Sequence, residues 1–268
     1  MDGNPWLTRW LPSPFLRFSL LIQVVFWPAY VFVLRDHVVL PLLLVGHHVL
    51  IFLLCLHPRT SLIGFNQSKI VQLQGEPPSV LLSFDDGPDP QSTPEILAIL
   101  DQYKVKALFF CIAERAQAYP DLTREILARG HQIGNHSLRH ETTFAFKGPK
   151  ALTHDLLESQ RILETLSGRP VLWFRPPFGI RNPWMHGVLQ QHNLKVMSWT
   201  RRGYDGVISD IQKILTRILK GIRPGDIILM HDGRSLKERP VAHLVLPELL
   251  RILEARGFTI KDPALISQ

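Results

Sequence analysis

The spacing of apolar positions divides this 268-residue chain in two. Residues 18–34 and 38–56 form two almost uncharged apolar runs, separated by Arg35, Asp36 and His37. Each approaches the ~20 residues that cross a bilayer, once Phe15 to Phe18 are counted into the first. Pro28, Pro41 and the His47-His48 pair would be unusual in a water-soluble core helix but are tolerated in membrane spans. No small-residue cleavage site follows a single short apolar core, so the runs predict an uncleaved transmembrane hairpin rather than a removable signal. A re-entrant or interfacial pair is the competing reading.

From Ser79 the pattern changes to short apolar runs alternating with amphipathic stretches. Strands are predicted at 79–84, 106–112, 132–135, 172–175, 195–199, 226–231 and 258–261. Helices are predicted at 92–103, 120–129, 150–166, 183–192, 209–219 and 244–256. Gly130, Gly168, Gly221 and Gly257 stand where a helix would end on a left-handed residue, and Pro183 suits a first helical turn. Strands alternating with helices predict a parallel sheet. The expected architecture is a deformed (β/α) barrel of about seven parallel strands, preceded by the N-terminal transmembrane hairpin. Residues 1–75 are then hairpin and linker, and residues 76–268 the main domain.

The net charge of +7 first brings nucleic acid to mind, but Lys and Arg are scattered over helix faces with no basic run interleaved with aromatics. Nucleic acid is therefore not an expected partner, whereas basic residues beside two membrane spans suit anionic lipid. Arg9, Arg17, Arg59 and Lys69 flank the hairpin and outnumber Arg35 in its turn, which favours a cytoplasmic main domain at a cell membrane. Cys55 and Cys111 lack a C-x-x-C neighbour and read as ordinary buried thiols.

Chemistry enters with Asp85 and Asp86, adjacent carboxylates at the end of a predicted strand. Two close like charges repel, and burial adds to the cost, unless a cation or a proton transfer uses them. The bland alternative is an Asx turn or helix cap before the helix near Ser92. His136 and His140 follow at the i, i+4 separation that lets two imidazoles share one metal. Arg175 and the His231-Asp232 pair end two further strands, so four strands deliver polar groups to the C-terminal rim where β/α barrels build active sites. His131, His154, His186, His192 and His243 match no motif and are expected at surfaces or on helices.

These segments resemble the polysaccharide deacetylases, the NodB-homology domain of carbohydrate esterase family 4. Residues 83–88 match the family's [ST]-F-D-D-G-P, and 136–140 its H-[ST]-x-x-H. Residues 175–178 match R-x-P-[FY], and 227–232 the apolar run ending in His-Asp. The resemblance spans roughly 78–260. The family's Asp-Trp motif appears only as Asp205-Gly206, leaving Trp199 or Tyr204 to supply the missing aromatic wall.

The resemblance implies a divalent metal, Zn²⁺ by preference, held by Asp86, His136 and His140. It implies Asp85 as general base, positioned and kept ionised by Arg175. The Phe178 backbone N–H would serve as an oxyanion donor. His231 would be the general acid, oriented by Asp205, and Leu229 would line an acetyl pocket. Asp232 is expected to be structural. The implied reaction is N-deacetylation of an amino sugar in a polysaccharide or lipid-linked glycan. Deformylation of a lipid-linked amino sugar, an inactive glycan-binding module and Fe(II) oxygen chemistry on the same ligand set are the alternatives. The family commonly works outside the cytoplasm, against the charge count, so the membrane face is left open.

Overall fold

The computed structural model describes residues 12–33, 38–233 and 241–266. Arg9 and Arg35, on which part of the orientation argument rests, lie outside the described residues. Two helices come first among the described residues: α1, Pro14–Phe32, and α2, Val39–Leu56. The Ser13 hydroxyl caps α1 by accepting from the Leu16 N–H, and Pro14 occupies the first turn where no donor is needed. Both helices are long and apolar enough to cross a membrane, and only 11% of each apolar window is buried. Phe18, Leu21, Val24, Leu42, Leu43 and Leu53 are all more than half exposed, an apolar surface that water would penalise heavily.

The helices are not loosely tethered. Leu16 and Cys55 pack with Ile63 at the hairpin's base, and the Arg181 N–H donates to the Cys55 carbonyl at 3.0 Å. The buried Arg181 guanidinium donates to the carbonyls of Thr60, Gly64 and Phe65. Burial pushes its pKa down to about 10, only partly opposed by Cys55. The predicted linker is thus built into the fold: Gln67 bonds Val196 and Ser198, and Ile70 bonds Gly225.

Among the described residues eight strands follow: β1 Ser79–Asp85, β2 Leu108–Cys111, β3 Gln132–Asn135, β4 Trp173–Phe174, β5 Lys195–Val196, β6 Arg201–Arg202, β7 Ile227–His231 and β8 Thr259–Ile260. Seven lie in the order β5-β4-β3-β2-β1-β7-β6, all parallel, and β8 pairs β1 beside this path. The predicted strand 195–199 is split and lengthened. Its first half pairs β4, its continuation pairs β7, and residues 197–200 carry the chain from one edge to the other. One run of chain therefore spans the gap in the deformed barrel.

Side-chain alternation sorts the strands into two layers. Val80, Leu82 and Phe84 point with Phe109, Ile228 and Met230 toward the helices, where Phe84 stacks on Phe109 at 5.0 Å. Leu81 packs with Leu108, Phe110, Ile227, Leu229 and Trp199 in the interior. The helices are α3 Thr93–Gln102, α4 Ala113–Ala118, α5 Pro120–Ala128, α6 Pro149–Ser167, α7 Met185–Gln191, α8 Ile211–Leu219 and α9 Ala242–Ala255. All but α4 were expected; its six residues are too few to show a period. His131 corrects the surface assignment: it is fully buried, accepts the Ala107 N–H on Nδ1, and burial lowers its pKa to about 4.

Candidate active site

The rim at the C-terminal ends of β1, β3, β4 and β7 collects the polar groups. Parallel register sets Asp85, the last residue of β1, beside His231, the last of β7. The next residue, Asp86, has φ 74°, a left-handed conformation that costs a non-glycine residue energy. Gly87 follows because a Cβ there would lie 2.0 Å from Asp232 Oδ2. The Asx turn expected near Ser92 exists, but Asp89 makes it, accepting from Gln91 and Ser92 N–H. Asp85 and Asp86 are thereby free of the bland assignment.

Asp86, His136 and His140 present ligand atoms within 4.8 Å of one another. Asp86 Oδ1 lies 3.3 Å from Nε2 of each histidine, and it is buried without a hydrogen-bond partner. An orphaned carboxylate oxygen facing two imidazole nitrogens fits a divalent cation. His136 Nδ1 lies 2.7 Å from the Arg175 carbonyl, a bond that puts the proton on Nδ1 and leaves Nε2 as the ligand atom. Burial alone would raise the Asp86 pKa, but the His136 imidazole beside it, with His231 and His140 around it, holds it well below the carboxylate range. Burial and the charge of His136 lower His140 to about 4, so it stays neutral and ready to ligate.

Arg175 is fully buried. Its Nη1 donates to Asp85 Oδ1 at 2.6 Å and to Ser83 Oγ at 3.0 Å. Its Nε and Nη2 donate to the carbonyls of Met197 and Ser198, and its Cζ lies 4.0 Å from the centre of the Phe110 ring. The guanidinium is locked, and one Asp85 oxygen with it. Across the pocket, Asp205 holds His231 twice, accepting its backbone N–H at 2.8 Å and lying 3.0 Å from Nδ1. Burial would lower the His231 pKa, but Asp205, Asp86 and Asp85 raise it to about 9. Asp232 bonds the Thr93 hydroxyl; burial and the charges of Asp86 and Asp85 push it up to about 7.

Asp85, Asp86, His136, His140 and His231 line one small cavity of about 40 Å³ together with Phe178, Gly179, Trp199, Arg202 and Leu229. Such a volume admits a water and an acyl group but no sugar ring. Leu229 sits two residues before His231 on the same strand face, as expected. Trp199 walls the cavity, and the Phe178 ring stands edge-on to His140 at 4.7 Å. Tyr204 is not at this cavity; it lies in an adjoining cleft that Trp199 also lines. Among the described residues, four of the seven non-glycine residues with positive φ are Asp86, Ser137, His140 and Phe178, and a fifth, Tyr204, lines the adjoining cleft, so backbone strain is concentrated around the two.

A family model described as polysaccharide deacetylase matches residues 72–197. A peptidoglycan-N-acetylglucosamine deacetylase of Bacillus cereus is 36% identical over 174 residues, covering 63% of this chain and 81% of that protein. A chitooligosaccharide deacetylase of Sinorhizobium fredii is 34% identical, covering 69% of this chain and 90% of that protein. Among solved structures, the peptidoglycan deacetylase PdaC from Bacillus subtilis superposes with a TM-score of 0.64 at 27% identity, over 73% of this chain and 92% of that one. The chain belongs to the polysaccharide deacetylase family. Polysaccharide deacetylases of this kind are metal-dependent hydrolases of amide C–N bonds.

Some groups supporting the site were not foreseen from its motifs. Ser83 shares its hydroxyl between Arg175 and the Ile228 carbonyl. Arg115 braces the strained turn by donating to the Asp86 carbonyl at 2.5 Å, and Asp155 accepts the Leu138 N–H between the two histidines. Ser83 stands inside the first motif and was legible there; Arg115 and Asp155 carry no local signal.

Proposed function

We propose that this chain is a metal-dependent N-deacetylase of N-acetylated amino sugars in a polysaccharide or lipid-linked glycan at a membrane. The observation that carries this reading is the Asp86–His136–His140 donor set with Asp85 and His231 lining the same cavity. A divalent cation bound there, Zn²⁺ by its donors, would polarise the amide carbonyl and lower the pKa of a bound water from ~15.7 towards ~7.

The chain's own groups do the rest. Asp85 Oδ1 is held by Arg175, leaving Oδ2, 3.8 Å from His136 Nε2, to take the water's proton. The Phe178 N–H, fixed behind Pro176 and Pro177, would donate to the oxyanion. His231, protonated at neutral pH with Asp205 on Nδ1, would deliver a proton from Nε2 to the departing amine. Leu229 and Trp199 exclude bulk water around the acetyl methyl. The apolar α1–α2 hairpin would hold the enzyme at the membrane of the cell.

The direct test is acetate release from N-acetylated glycans, free and lipid-linked, by zinc-loaded full-length protein. Acetate from at least one such substrate is expected. Formate from an N-formyl substrate without acetate from any N-acetyl one would reassign the enzyme as a deformylase, and no release from either would refute the reading. Asp205→Asn supplies a second prediction. Losing that carboxylate removes the largest influence raising His231, so the alkaline limb of kcat should move down by about one pH unit or more. An unmoved limb in the pH–rate profile would remove Asp205 from this role.

A further inference from the structure

Beside the metal cavity lies a cleft of about 410 Å³, with Phe178, Trp199 and Arg202 as shared walls. Its volume falls within the range of small-ligand sites. Among the described residues, Arg59, Arg201, Arg202 and Arg217 line it and no Asp or Glu does. Arg201 is consumed structurally by Asp226 and the carbonyls of Lys220 and Gly221. Among the described residues, Arg59, Arg202 and Arg217 have no ion pair. Arg202 Nε is buried without a hydrogen-bond partner. Arg202 and Arg217 both lie over the ring of Tyr204, at 4.5 and 5.2 Å, so the two cations are held near each other on one aromatic platform.

Gathering like charges without a counter-ion is unfavourable, and planar guanidinium groups are suited to phosphate oxygens. The cleft's position adds a second constraint. Leu56, the last residue of α2, forms part of its wall together with Pro58, and the docked Arg181 fixes that end of the helix to the barrel. The cleft therefore runs between the end of an apolar helix on one side and the metal cavity on the other.

We propose that the cleft is a phosphate subsite, holding the phosphate or diphosphate that joins the N-acetylated sugar to a lipid carrier. The sugar's amide enters the metal cavity past Trp199 and Phe178, and the carrier leaves past Leu56 along α2. This rests on the N-deacetylase reading and narrows its substrate to a phosphate-linked one. The same phosphate chemistry is offered by a bulk phospholipid headgroup or a soluble nucleotide sugar.

The test uses zinc-loaded full-length protein in phosphatidylcholine nanodiscs. Values of kcat/KM are compared for polyprenyl-diphosphate-linked N-acetylglucosamine, UDP-N-acetylglucosamine and neutral N-acetylchitotetraose. Wild type should prefer the polyprenyl-linked sugar over both others. Arg202→Gln with Arg217→Gln should reduce its preference over the neutral oligosaccharide about 100-fold, chiefly through KM, with zinc content retained. Arg202→Lys, which keeps the charge, should recover part of it. A ratio unchanged by these substitutions overturns the subsite while the deacetylase reading stands. Equal use of UDP-N-acetylglucosamine overturns the lipid carrier. Absence of any preference, with phosphatidylglycerol slowing all three substrates, gives the cleft to bulk lipid. Release of acetate from no substrate instead refutes the deacetylase reading itself.

Discussion

Asp86→Ala is expected to remove bound metal and turnover together. Asp86 is the sole carboxylate of the ligand set, and its Oδ1 is the atom both imidazoles face at 3.3 Å. Without it, two buried histidines remain to hold a dication with no anionic ligand, and affinity falls with both charge and ligand number. Activity should drop by about 1000-fold or more, to the level of the metal-stripped enzyme. Elemental analysis after dialysis against limiting zinc, read beside thermal unfolding, is the decisive measurement. A folded variant that keeps one equivalent of zinc would displace Asp86 from the ligand set.

Asp85→Asn should separate the two aspartates. The amide keeps an oxygen for Arg175 Nη1 but cannot accept the water's proton, so zinc should stay while kcat falls about 1000-fold and KM changes little. The substitution also leaves Arg175 buried without its counter-charge. Breaking a buried pair costs about 3–5 kcal/mol, so a lower melting temperature should accompany the lost turnover. Carbonyl and hydroxyl acceptors from Ser83, Met197 and Ser198 remain to hold the guanidinium in place. Joint loss of zinc and activity, as with Asp86→Ala, would show that the two carboxylates share one role.

The rim was legible because its residues are local in sequence. Asp85-Asp86, His136 with His140, Arg175 and His231 each end a short apolar run, and parallel topology sends such ends to one face. Helices with clear periods, such as α6 and α8, were legible for the same reason. What escaped depends on distance or brevity. β6 has only two residues, both arginine, and exists because Arg201 and Arg202 pair with Ile228 and Leu229 of β7. Arg181 looks like a loop cation until the carbonyls of Thr60, Gly64 and Phe65 surround it. His131 gave no hint of burial because its partner, the Ala107 N–H, is twenty-four residues away. The Arg202–Arg217 pair meets on Tyr204 only once α8 is folded against the barrel.

Residues 195–202 serve two neighbours in succession, β4 first and β7 afterwards. Most barrels can absorb an inserted residue in a surface loop between strands, but here both ends of the segment are pinned by backbone bonds. A strand's side chains change face with every single-residue slip. Adding or removing one residue between Met197 and Thr200 would therefore exchange the faces of Arg201 and Arg202, taking the first from Asp226 and the second from the Tyr204 ring. In this stretch the number of residues is under tighter constraint than their identity.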